Sequence, residues 1–192
     1  PPEGGVPFAL PGGERFPHAP WWVAEDGTPA SPAITGQMLA PLQRRGADLP
    51  WVEQARAWMW ARADAVAGEG GPLGAYEAIG LACFLNTAPG RDRAAAGAER
   101  LAGLLHAALE PRPGGPPDRH RALDLAPRPD DVVRRIFEPA RIEADLDALE
   151  ADRQDDGGWT FTWLAWSPVA AAEWRGVMTI EALKTLRANG RL

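Results

Sequence analysis

From residue 31 onward the apolar positions recur at intervals of three and four, the period of a helix and not of a strand. Ser31-Pro32 reads as a helix start, with serine at the cap and proline in the first turn, and the helix is expected to run to about Arg45 with Gly46 as its terminator. Pro41 inside it predicts a kink. A second helix begins at Pro50, where Val52, Ala55, Met59, Ala63 and Val66 fall on one face and Glu53, Arg56 and Arg62 lie elsewhere on the wheel. A third, Leu73 to Thr87, contains "YEAIGLACFL" and is apolar nearly all round, as an inner helix is.

Asp92 to Leu109 gives a more polar helix, ended by "EPRPGGPP", a proline-glycine loop where mobility is expected. "PDDVVRRIFEP" reads as one short helix with Asp130 and Asp131 at its start, where carboxylates meet the positive end of the dipole. Pro139 to Asp152 is amphipathic: Ile142, Leu146 and Leu149 form the stripe, and Glu143, Asp145, Asp147 and Glu150 are expected to face water. The last helix runs from about Val169 to Ala188 and closes at Asn189-Gly190. Hardly any strand alternation is present, so the fold class is all-α.

Ahead of these helices, residues 1–31 are rich in proline and glycine and carry no helical period, the composition of an extended arm. Its most apolar point is "FPHAPWW", and Trp21 and Trp22 are expected to anchor the arm by burial. The organisation read from the sequence is therefore an arm, 1–31, and a single helical domain, 32–192. The chain opens on "PPEGGVPFAL" and not on methionine, the start expected of a processed or truncated piece of something longer.

Composition narrows the function classes. With 45% apolar residues in 192, no apolar run near the length of a bilayer crossing and a mean hydropathy of -0.27, no membrane span is expected. A formal charge of -6 and a pI near 5.1, without a basic stripe, argue against a nucleic-acid partner. The single Cys83 cannot form an intramolecular disulfide, and with no signal peptide in view the expected location is cytoplasmic. Cys83, His18, His106 and His120 are scattered, so no zinc site, other metal or cofactor is expected.

The most unusual stretch is "QDDGGWTFTW", Gln154 to Trp163. Its two glycines permit positive backbone angles and let a large ring lie against the chain, while glutamine and aspartate can satisfy backbone donors nearby. That describes a clasp between helices. Gln154, Gly157, Gly158 and Trp159 resemble the glutamine-tryptophan repeat of the terpenoid cyclase and protein prenyltransferase superfamily, the α/α toroids that include squalene-hopene cyclases. "APWW", followed by helical hairpins and then "SPVAAAEWRG", also looks like prenyltransferase-like repeats. The resemblance implies helical hairpins forming part of an α/α toroid, with such repeats tying helices on the outside of the barrel. An internal echo agrees with hairpins: Leu39, Leu42 and Gly46 have the spacing of Leu183, Leu186 and Gly190, and each set follows a Ser-Pro pair.

The catalytic signatures of those families are incomplete here. The acid that protonates an alkene stands in Asp-x-Asp-Asp, whereas Asp145-Leu146-Asp147 is followed by Ala148. Neither Asp130-Asp131 nor Asp155-Asp156 completes a magnesium-binding set of three aspartates. Ser31 and Ser167 read as caps and not as nucleophiles. Nine tryptophans remain, and Trp21, Trp22, Trp159, Trp163, Trp166 and Trp174, with Arg175, are the candidates to line a cavity for an isoprenoid tail or to staple loops onto helices. If an acid acts on a substrate, Asp156 and Glu173 are the candidates. Two readings follow: an isoprenoid-binding relative of the cyclases and prenyltransferases, or a non-catalytic α-helical repeat scaffold for a protein or peptide. Self-association, or further N-terminal repeats, would complete a ring that this chain supplies in part.

Overall fold

The computed structural model describes residues 3–25, 27–110 and 120–192. Most of the "EPRPGGPP" loop lies outside them. The described residues form seven α-helices and two 3-10 turns with no strand, only an isolated antiparallel bridge between Pro7 and Ala30, so the chain is all-α. No helix among the described residues is long and apolar enough to cross a membrane. The chain divides into two compact units, Pro1–Ala108 and Leu109–Leu192.

In the first unit, α1 (Pro32–Arg44) starts where Ser31 Oγ accepts the Ile34 N–H at 3.5 Å, continues through Pro41, and is followed by Gly46 at a φ of 62°. Helix α2 (Pro50–Glu69) buries Val52, Ala55, Met59, Ala63 and Val66, the row its period marks out, and adds Trp60. Helix α3 (Ala75–Thr87) buries Leu81, Phe84 and Leu85 and packs most extensively against α1. The two meet at glycines: a Cβ on Gly36 would collide with the Gly80 backbone, and one on Gly80 with the backbone of Pro32 and Ala33. Only hydrogen at these positions lets the backbones come this close. Helix α4 (Arg91–Leu109) closes the unit with Ala94, Ala98, Leu101 and Leu105, and the Trp60 ring is set edge-on to Phe84 at 4.9 Å with the Arg93 guanidinium over it at 3.9 Å.

The arm is held differently from the expectation. Its anchor is Gly4–Val6: the Val6 N–H donates to Thr35 Oγ1 at 2.8 Å, the Ser31 N–H donates to the Val6 carbonyl at 2.8 Å, and a Cβ on Gly5 would lie 2.7 Å from the Trp58 ring. Trp21 and Trp22 are instead 58% and 46% exposed, with Trp22 edge-on to Phe8 at 5.9 Å. Small residues that can approach another backbone, and not large rings, tie this arm down.

The second unit opens with the four-residue α5 (Ala122–Leu125), which the sequence pattern did not announce. "PDDVVRRIFEP" forms the 3-10 turn Val132–Ile136 and not an α-helix. Proline at 139 pushes Glu138 to an extended conformation, φ -62° and ψ 137°, and too little chain remains to close α-helical turns. Helix α6 (Pro139–Ala151) buries Ile142 and Leu146. Asp145, expected in water, is turned inward: it is 7% exposed, accepting the Ala122 N–H at 2.8 Å and Arg141 Nε at 3.3 Å. Its carboxylate thus starts α5, compensating its burial. Helix α7 (Pro168–Ala188) begins with Ser167 Oγ accepting the Ala170 N–H at 3.1 Å and is followed by Gly190 at a φ of 70°. Beyond it, Arg191 reaches Glu143, Asp147 and Glu150 of α6 at 2.8–3.0 Å, closing the hairpin of α6 and α7.

Candidate functional site

The segment between α6 and α7 is built around one tight loop. The Gln154 N–H donates to the Gly158 carbonyl and the Gly157 N–H to the Gln154 carbonyl, both at 2.8 Å, with Gly157 at a φ of 85° that a side chain would strain. A Cβ on Gly158 would press on Thr179 Oγ1 at 3.1 Å, so glycine is what brings the loop onto α7. Trp159, 3% exposed, then bridges both helices: its ring N–H donates to the Leu149 carbonyl of α6 at 2.7 Å, and its backbone N–H donates to Thr179 Oγ1 of α7 at 3.0 Å. The Gln154 side chain stays local, donating to the Asp152 carbonyl at 2.7 Å. Arg153 adds a bond to the Gly157 carbonyl at 3.1 Å and lies 5.8 Å from the Trp159 ring centre.

Asp156 closes the loop electrostatically. Arg175 donates to one carboxylate oxygen at 2.7 Å and the Gly158 N–H to the other at 3.1 Å. The Arg175 hydrogen bond first, and then that of Gly158, hold the Asp156 carboxyl below the ordinary carboxylate range. A carboxyl that protonates an alkene needs the reverse, a neutral group kept from cations. Glu173 lies exposed on α7.

After the clasp the chain turns aromatic. Phe161 and Trp163 stack at 4.7 Å, and Trp163 meets Trp174 of α7 edge-on at 5.5 Å. Trp166 and Trp174 remain 43% and 40% exposed. The structure therefore brings Trp159, Asp156 and Arg175 together as a clasp, and Trp163 and Trp174 as a surface cluster beside it. Trp21 and Trp22 belong to the first unit and Trp159, Trp163, Trp166 and Trp174 to the second. No group of three or more histidines, cysteines or acids among the described residues could hold a metal ion.

Sequence reasoning missed the face of α7 that points away from α6. Over the helix only Ala170, Ala182 and Leu186 are buried, while Val169, Val177, Ile180 and Leu183 are exposed, and Leu164 in the loop is 82% exposed. The signal was available, since apolar residues occur all round this helix as they do around α3. In α3 all of them but Tyr76 are buried or half-buried; in α7 they are not. Comparison with models of protein families, with curated protein sequences and with solved structures finds no match for this chain.

Proposed function

We propose that this chain is a non-catalytic α-helical binding protein, and that it receives a protein or peptide segment on the surface formed by the aromatic loop and the outer face of α7. The observation that carries the reading is the run of exposed apolar side chains, Leu164, Trp166, Val169, Trp174, Val177, Ile180 and Leu183, on one loop and one helix. Exposed apolar surface of this extent on one helix and its leading loop marks interaction sites, and aromatic residues are enriched in them. The carboxylates beside it, Asp156 in its ion pair and Glu173, stand in water, an arrangement suited to the rim of an interface. The hairpin of α6 and α7, tied by Trp159, supports reading the fold as helical hairpins of the toroid type.

The isoprenoid reading keeps one observation in its favour, the cluster of Phe161 stacked on Trp163 with Trp174 edge-on to it, whose ring faces suit an apolar tail. Two measurements separate the readings. Selection from a displayed library of helical peptides is expected to yield binders that lose affinity for Val177→Asp and retain it for a distant control variant. Tryptophan fluorescence titrated with farnesyl diphosphate, geranylgeranyl diphosphate and a neutral polyprene, with and without magnesium, is expected to show no saturable change. Saturable quenching abolished by Trp163→Ala would instead establish the isoprenoid site and overturn the binding-protein reading.

A further inference from the structure

The outer face of α7 has a pattern of its own. Glu173, Val177, Ile180, Lys184 and Arg187 follow one another at four, three, four and three residues, so at about 100° per residue they fall within a sector of about 80°. All five are exposed, and Leu183 borders the sector. The apolar pair occupies the middle, with an acid towards the amino end and bases towards the carboxyl end. Neither Glu173 nor Arg187 is held in an ion pair among the described residues.

That order is complementary to itself when reversed. If a second α7 is laid antiparallel about a two-fold axis through Ile180, Ile180 meets its own copy, and Val177 and the copy of Leu183 come level on the two flanks of that contact. Glu173 meets Arg187 at both ends. The positions facing each other in each case sum to the same number, as a two-fold requires. The ends match in reach as well, because Glu173 and Arg187 are separated by about 21 Å along the helix at 1.5 Å per residue. Lys184, which Glu181 already neutralises at 2.7 Å, would face Gly176, where a Cβ would meet nothing within 4 Å, so there is room for its stem. A parallel arrangement would oppose Glu173 to Glu173 and Arg187 to Arg187, which like-charge repulsion disfavours.

We infer that the partner seated on this surface is a second copy of the chain, joined through antiparallel α7 helices with Val177, Ile180 and Leu183 at the centre and Glu173–Arg187 pairs at both ends. The inference rests on the binding-protein reading and names its partner. Charge reversal tests it without touching a buried residue. Sedimentation velocity over a concentration series should show a monomer–dimer equilibrium for the unaltered protein. Glu173→Arg and Arg187→Glu should each weaken dimerisation by about tenfold or more, since each places like charges opposite at both ends. An equimolar mixture of the two variants should recover the dimer, because every end contact in the mixed pair is again between opposite charges. An unaltered protein that stays monomeric throughout, or a dimer indifferent to both single reversals, would overturn self-pairing. Display-selected peptides that still bind the monomer and lose affinity for Val177→Asp would then leave the binding-protein reading standing, with a different partner.

Discussion

Asp156 is placed to hold a loop in shape: one carboxylate oxygen takes Arg175 and the other takes the Gly158 N–H, so the residue satisfies a backbone donor and anchors a side chain of α7 at once. Its folded-state pKa lies below that of the unfolded chain, with the Arg175 bond as the first cause. The sign of the linkage follows. The stabilisation is fully present above the unfolded carboxyl pKa and is lost as pH falls through the lower folded value. Asp156→Asn should therefore be less stable than the unaltered protein at neutral pH, and the difference should shrink as the pH is lowered through the carboxylate range, measured as urea midpoints at several pH values. A difference unchanged down to strongly acid pH would contradict the pairing. Single residues were the least legible scale in the sequence. Asp145 sits on the polar side of an amphipathic pattern, and what draws it inward, the Ala122 N–H, lies 23 residues away. Periodicity reports which positions share a face, not which distant donor needs an acceptor.

At the scale of elements the clasp is the feature that organises the second unit. Trp159 joins the Leu149 carbonyl of α6 to Thr179 of α7, and the glycines before it fix how near the loop can come. Trp159→Phe keeps most of the buried ring and removes the bond to Leu149, so it should cost about 1–2 kcal/mol. Trp159→Ala should cost about 3–5 kcal/mol, because a cavity is added. Urea unfolding followed by circular dichroism measures both; an unchanged Trp159→Phe would show that the hydrogen bond contributes nothing, and equal losses for the two variants would show that the buried ring adds nothing beyond it. Elements were also where the sequence was most legible. The Ser-Pro starts at 31 and 167, the glycines ending α1 and α7, and the buried row of α2 from Val52 to Val66 all follow from local rules of capping and period. The 3-10 turn at Val132–Ile136 escaped because proline on its far side, and not its own residues, decides how far a helix can run.

Across the whole molecule the buried volume is distributed unevenly. Phe84, Leu39, Met59, Leu81, Leu85, Leu101 and Leu105 are fully enclosed in the first unit, whereas Leu125, Leu146, Leu186 and Val132 do the same in the second. Helix α7, the longest among the described residues, contributes little to that core and offers Val177, Ile180 and Leu183 to solvent. Its outer face is thus available to a partner while Trp159 holds its inner face in register. The tryptophans were candidates both for lining a cavity and for stapling loops onto helices, and the structure shows Trp159 used as a staple, with Trp21, Trp22, Trp166 and Trp174 open to solvent. The sequence pattern could not separate these uses, because a tryptophan's neighbours in space are set by the packing of helices far apart in the chain.

The most direct measurement is amide hydrogen exchange of the intact chain at low and high concentration, and with a display-selected peptide bound. If the outer face of α7 is the binding surface, exchange between Glu173 and Arg187 should slow as concentration rises or as peptide binds, while α2 and α3 stay unchanged. Exchange in α7 that is the same at every concentration and with every peptide would contradict the account.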